Sequence, residues 1–189
     1  SVVTVAAHSV MVNVILLVYT MYAGLSVAAN IRVGNCLGEN MPKKARMARN
    51  IALGITTALA VCFAALLFGL SDHITLLFLD AGESADLASE VMAIWSPLTL
   101  MDGLNAVIQG IFRGAGKQKS AAIANGLAYY VGGVPLAVLL AYPCDLGVKG
   151  LWFGISFGNI VAVAAMFAMM LRYWSWEKLA DDAQERTKQ

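Results

Sequence analysis

Asp102 is the acid in this sequence whose surroundings ask most for a chemical explanation. It stands near the middle of residues 91–112, a stretch with no other Asp, Glu, Lys or Arg. Thr99, Asn105 and Gln109 lie at i−3, i+3 and i+7 from it, so a helix here carries one polar stripe on an apolar body. An ionised carboxylate at mid-bilayer costs about 2.5–3.5 kcal/mol on insertion scales. Lipid offers such groups no hydrogen-bond partner, so the stripe must face protein or a water-filled cavity. Two roles fit: a protonatable cation-coupling site, or a structural acid hydrogen-bonded between helices.

A second stripe runs through Ser9, Asn13 and Thr20, spaced by 4 and 7, with Tyr19 and Tyr22 close by. Such amides and hydroxyls either line a cavity or act as interhelical glue worth about 0.6 kcal/mol apiece. His8, near the end of the same run, is expected at an interface, and His73 in solvent. Cys36, Cys62 and Cys144 have no CxxC spacing and no paired His, so no metal site or disulfide framework is expected. No GxxxxGK[ST], HExxH or GxSxG segment occurs. Nucleotide-driven pumping and hydrolytic chemistry therefore have no carriers, and no cofactor is expected beyond a coupling ion.

The elements that must position these residues follow from hydropathy. The chain has 189 residues, 59% hydrophobic and 13% charged, against about 25% charged in an ordinary soluble domain. A hydrocarbon core of about 30 Å needs about 20 apolar residues in a helix. Residues 1–30, 51–71, 91–112, 120–144 and 150–171 meet that length, the third interrupted by Asp102 alone. The expected fold is thus an all-α polytopic membrane protein, with a bundle over residues 1–172 and a tail over 173–189.

Orientation follows from the loops. Residues 32–50 hold Arg32, Lys43, Lys44, Arg46 and Arg49 against Glu39 alone, whereas residues 72–90 hold five acids and no Lys or Arg. Arg113, Lys117 and Lys119 make the next connection basic, and Arg172, Lys178, Arg186 and Lys188 follow the last span. Basic loops on the cytoplasmic side place the amino terminus outside and the carboxy terminus inside. The net charge of +1 carries no signal for nucleic acid. The lipid bilayer is the expected partner. Ser1 opens the chain without a Met or a basic leader, which reads as a piece of a longer protein.

Finer features complete the expectation. Pro97 and Pro135 fall inside spans, where each removes a backbone donor and bends its helix, either harmlessly or as a gate. Gly34 and Gly38 after Arg32, and Gly114 and Gly116 after Arg113, are expected to turn the backbone sharply at the membrane face. Tyr173, Trp174 and Trp176 look like an interfacial aromatic belt, and residues 181–189 like a charged, disordered end.

With these motifs in place, the chain resembles the multidrug and toxic compound extrusion (MATE) family, the detoxification proteins of plants. The segments that carry the resemblance are Gly24-Leu25-Ser26-Val27-Ala28, Arg32-Val33-Gly34-Asn35, Leu37-Gly38 and Ala45-Arg46. A further segment, Gln109-Gly110-Ile111-Phe112-Arg113-Gly114-Ala115-Gly116-Lys117-Gln118, is similar to the end of the family's tenth helix. Asn125, Tyr129-Tyr130, Gly133 and Pro135 match the eleventh helix, and Gly147, Lys149-Gly150-Leu151-Trp152 and Gly154 the start of the twelfth. Trp176-Glu177-Lys178 is similar to the eukaryotic branch in particular.

The resemblance implies that the five spans are helices eight to twelve of a twelve-helix fold, an incomplete carboxy-terminal lobe whose partner lobe lies elsewhere in the polypeptide. It implies export of xenobiotics, organic cations or metabolites by proton- or sodium-coupled antiport, with alternating access of a central cleft. The substrate is a small organic molecule, cationic or amphipathic, and the membrane is the plasma membrane or a vacuolar or other organellar one. Asp102 takes the place of a glutamate common in the eukaryotic branch, whereas Asn13 replaces a second family acid with an amide that does not ionise. Tyr19, Asn125, Tyr129 and Tyr130 join Asn13, Thr99, Asn105 and Gln109 as cavity candidates. Gly24, Arg32, Gly34, Gly38, Arg113, Gly114 and Pro135 are motif positions with structural duties. The alternatives are a lipid-linked-precursor flippase of the wider superfamily and a membrane fragment that transports nothing.

Overall fold

A computed structural model describes residues 2–187 and consists of helices joined by short turns, with no strand among the described residues. Ser1 and Lys188, placed by the sequence in the first span and the basic tail, lie outside the described residues, as does Gln189. The helices are α1 (Val2–Gly38), α2 (Pro42–Gly69), α3 (Ser71–Leu76), α4 (Glu83–Trp95), α5 (Thr99–Gly114), α6 (Gln118–Leu127), α7 (Val134–Ala141), α8 (Gly147–Arg172) and α9 (Trp176–Thr187). A 3₁₀ turn, Ser96–Leu98, joins α4 to α5, and a π-helical turn, Ala128–Gly133, joins α6 to α7. Five stretches are long and apolar enough to cross a bilayer: Val2–Gly38, Pro42–Gly69, Glu83–Gly114, Gln118–Ala141 and Gly147–Arg172. The chain is an all-α, polytopic membrane protein.

Both interior prolines sit where the helix changes pitch. Pro97 lies within the 3₁₀ turn, and Pro135 is the second residue after the π turn. Each missing donor is thereby absorbed by a local change of hydrogen-bonding register.

Small residues set how closely the helices approach. Gly103, Gly110 and Gly114 of α5 face α1, and a methyl group on Gly110 would stand 2.2 Å from the Ser26 carbonyl oxygen. On α8, Gly150, Gly154 and Gly158 form a GxxxGxxxG ridge, and a methyl on Gly154 would lie 2.2 Å from the backbone of Ala137 in α7. Between helices immersed in lipid, close backbone approach of this kind supplies the dispersion contact that a hydrophobic driving force supplies in water. Two apolar clusters fill the bundle, one against residues 7–22 of α1 with Met92 and Trp95, the other against residues 29–37 with Phe112, Met166 and Met170.

Several expectations are corrected. α1 continues through Arg32 and Gly34 to Gly38, so these glycines are not a turn; Gly34 packs near the Gly114 backbone instead. The reversal comes at residues 39–41, with Asn40 at φ 54°. At the other glycine pair the chain does turn, with Gly116 at φ 70°. α2 starts at Pro42 and so takes the basic residues 43–49 into its first turns, and the third span starts at Glu83 within the acidic stretch. Over its described residues the charged end is ordered: Trp176–Thr187 form α9, whose Trp176, Leu179 and Ala180 are buried against the second cluster. Trp176 is thus a core residue, edge-to-face with Trp174, which in turn packs on Phe112 with ring centroids 4.6 Å apart. The buried Arg49 guanidinium lies over the Trp176 ring, 5.4 Å from its centroid. The expected interfacial belt shrinks to Tyr173, which is exposed.

Candidate functional site

α1, α4, α5, α8 and the α6–α7 helix surround a cavity of about 310 Å³ in which, among the described residues, Asp102 is the one carboxylate and no Lys or Arg takes part. The polar face of α5 reaches it because α5 presses its glycines and Ala106 on α1, which leaves Asp102, Asn105 and Gln109 turned into the cavity toward α8 and α6. Ser26 marks this seam. Its hydroxyl donates to the Ala106 carbonyl at 2.5 Å and accepts from Arg113 Nη2 at 2.9 Å.

Within the cavity the side-chain amides form a directed chain. Gln109 Nε2 donates to Asn105 Oδ1 at 2.7 Å. Asn105 Nδ2 donates to Asn159 Oδ1 and, at 3.2 Å, to Asn125 Oδ1. Asn159 Nδ2 then donates to the Asp102 carboxylate. Every link from Gln109 through Asn105 and Asn159 points its hydrogen toward Asp102, the arrangement that stabilises a negative charge at the end of the chain. Asn125 anchors the side branch by donating to the Ala121 carbonyl at 3.1 Å. Much of the remaining lining is aromatic: Tyr19, Tyr22, Trp95, Tyr129 and Trp152. Tyr22 is fully buried, its hydroxyl 3.2 Å from Thr99 Oγ1 and its ring edge-on to Phe63.

Six of the eight cavity candidates taken from sequence, Tyr19, Thr99, Asn105, Gln109, Asn125 and Tyr129, line this space together with Asp102. Asn13 and Tyr130 do not. Asn13 is exposed and donates to the Ser9 carbonyl one turn back, as Ser9 does to Val5 and Thr20 to Leu17. Their stripe therefore satisfies itself within α1 and faces away from the cavity. Tyr130 is 79% exposed, because consecutive helical residues point about 100° apart and the π turn brings Tyr129 inward. Asn159 was missed, although it is buried and follows Ser156, also buried, by one helical step in a run without charges. Trp95, Trp152 and Ser156 also line the cavity. Tryptophan in an apolar run reads as core, and nothing in the spacing marks these two.

The motif positions are spread along the bundle. Gly24 has open space around its α-carbon, Arg32 and Pro135 are exposed, and Gly38 closes α1 with its carbonyl accepting from Gln184 Nε2 at 2.5 Å. His8 is exposed and stacks on Trp152 at 5.6 Å, and His73 is exposed in α3.

The MatE family model matches residues 1–139. Multidrug and toxin extrusion protein 1 of Homo sapiens is 34% identical over 182 residues, covering 96% of this chain and 32% of that protein. Protein DETOXIFICATION 14 of Arabidopsis thaliana is 35% identical over 168 residues, covering 89% and 34%. The chain therefore spans about a third of the length of the curated relatives it matches. Among solved structures, the eukaryotic MATE transporter AtDTX14 superposes with a TM-score of 0.92 at 33% identity, over 97% of this chain and 41% of that one. A MATE structure in the bent conformation shares the fold at TM-score 0.81 and 18% identity, over 97% and 43%. The helix order, the cavity they enclose and these matches converge on one statement: the chain belongs to the MatE family of membrane proteins, and resembles its eukaryotic members.

Proposed function

We propose that this chain is the carboxy-terminal part of a secondary antiporter, which exports small organic molecules in exchange for protons or sodium ions. The observation that carries the reading is Asp102, among the described residues the one carboxylate in a cavity between membrane helices, at the receiving end of the Gln109–Asn105–Asn159 amide chain. In this reading the coupling cation and the substrate compete for Asp102. The two arrangements of the lobes differ in affinity for the cation-bound and substrate-bound forms, and that difference links the two fluxes. The aromatic lining suits a cationic or amphipathic substrate, through ring faces that attract positive charge. The names of the relatives, multidrug and toxin extrusion and detoxification, support the same reading. Among the described residues the lining holds no Lys or Arg, which weighs against an anionic lipid-linked precursor as the cargo of this lobe. The plasma membrane or an organellar membrane is its place, with the carboxy end cytoplasmic.

The test is gradient-driven uptake of a fluorescent organic cation into vesicles from cells expressing the protein, native against Asp102→Asn. Loss of uptake in a mutant of equal abundance and correct insertion is expected. Undiminished uptake would make Asp102 a structural acid.

A further inference from the structure

A second hollow, of about 250 Å³, lies between α1 and α2 on a face that no other described element covers, away from the cavity that holds Asp102. Its floor is small and apolar: Ala28, Ala29, Ala48 and Ala52, flanked by Leu25, Met47, Ile51 and Ile55. Two cations complete it, Arg32 from α1 and Lys44 from α2. Both are exposed, and neither has a hydrogen-bond or ion-pair partner among the described residues.

The charge at that end is unbalanced for a further reason. Lys44 lies in the first turn of a 28-residue helix that has no acidic residue there and no side-chain cap on its leading N–H groups. The positive end of the helix dipole and the free N–H donors of Lys43 and Lys44 therefore add to the Lys44 and Arg32 side chains, whereas Lys43 and Arg46 face the Glu177 carboxylate of α9. Cations at a helix amino terminus are unfavourable for the helix itself. An anion bound there would relieve the repulsion and satisfy the donors at once.

From this complementarity we infer that the α1–α2 groove is a binding site for an anionic glycerophospholipid. Arg32, Lys44 and the leading backbone N–H groups of α2 take the phosphate headgroup, and the alanine floor takes an acyl chain. The occupant is a lipid and not a free phosphate because the cations stand at the end of an apolar groove in two bilayer-length helices, with Met47, Ile51 and Ile55 exposed along it. A headgroup ligand that carries its own hydrocarbon fits both halves of the site. The basic connection also stands where the positive-inside rule places the anionic leaflet, whose surface attracts Lys and Arg.

The experiment is native mass spectrometry of the chain purified in mild detergent, titrated with phosphatidylglycerol, with phosphatidylcholine, and with inorganic phosphate. The native chain is expected to retain one phosphatidylglycerol in preference to phosphatidylcholine, and phosphate should not displace it. Arg32→Gln/Lys44→Gln should lower that retention at least tenfold, and Ala28→Phe, which fills an exposed position of the groove, should lower it with both cations in place. Equal retention of the two lipids, or a preference unchanged in the double variant, would overturn the inference. A benzophenone amino acid replacing Met47 identifies the occupant in membranes: a lipid adduct supports the site, and a cross-link to a protein segment or a second copy of the chain overturns it.

Discussion

The closeness of α1 and α5 makes a quantitative prediction for paired substitutions, Gly110→Ala and Gly24→Ala. Both glycines lie in helix interiors, where alanine is intrinsically better by about 1 kcal/mol. Around Gly24 there is open space, so Gly24→Ala should stabilise the chain by up to about 1 kcal/mol. At Gly110 the added methyl falls 2.2 Å from the Ser26 carbonyl oxygen and 2.7 Å from its hydroxyl, more than 1 Å inside ordinary contact. The obstacle is backbone, so the helices must separate. Overpacking of this kind costs about 1–3 kcal/mol, and a backbone clash belongs at the upper end. Offset by the gain in propensity, Gly110→Ala should destabilise by about 2 kcal/mol, leaving a gap of about 3 kcal/mol between the two variants. Reversible unfolding in mixed micelles with rising dodecyl sulfate fraction, followed by tryptophan fluorescence, measures it. Two variants within about 0.5 kcal/mol of each other, the range of neutral surface changes, would refute the packing argument.

Three further outcomes follow from the contacts. Asn159→Leu removes the donor to Asp102, and a hydrogen bond to a charged group is worth about 1.5–3 kcal/mol, so gradient-driven uptake should fall about tenfold or more at equal expression. Unaltered uptake would show that the amide does not hold the carboxylate. Asn13→Leu, by contrast, should leave uptake within about twofold of native in the same vesicles, because its amide is already satisfied by its own helix. In α9, Trp176→Ala should destabilise by about 3 kcal/mol and speed tryptic cleavage of the tail, since a buried ring is lost from over Arg49. Asp182→Ala, which breaks the part-exposed Lys117–Asp182 pair at 3.3 Å, should cost less than about 1 kcal/mol. Comparable effects of the two on proteolysis would overturn the view that α9 is held mainly by burial.

What the sequence made legible follows from the physics that each feature obeys. Bilayer-length apolar runs have no soluble alternative, so five spans could be read from composition and the interrupting Asp102 stood out by its cost. Polar periodicity on α5 was equally readable, because Thr99, Asn105 and Gln109 keep helical spacing with Asp102 and do meet it in one cavity. The same logic misplaced Asn13. Its stripe with Ser9 and Thr20 has the same spacing, but each side chain bonds a carbonyl three or four residues back, an outlet that periodicity does not distinguish from facing a neighbour. The α9 helix was hidden for a different reason. Its Asp, Glu, Lys and Arg content looks disordered until Trp176, Leu179 and Ala180 find the apolar ends of α1 and α2 to cover, a tertiary event with no local signature.

In the antiport reading, the direction of the amide chain is the feature with most bearing on coupling. Each amide offers donors on one atom and an acceptor on the other, so a chain of them has a polarity, and here the polarity ends on the Asp102 carboxylate. A proton placed on the carboxyl oxygen that Asn159 addresses would give that oxygen an O–H to donate and weaken it as an acceptor. Asn159 would meet it best by presenting its own oxygen, and its Nδ2 would then face Asn105, which in turn could no longer donate to it. The rearrangement spreads from α8 to α5 and, through Asn125, to the π turn that holds Tyr129. A buried polar network with two consistent polarities has two low-energy arrangements and poor intermediates, because a half-turned chain leaves a buried donor against a donor. In the antiport reading, that is how a single proton or cation at Asp102 would be felt by three helices at once, with the glycine seams of α5 on α1 and α8 on α7 fixing the frame in which the amides turn.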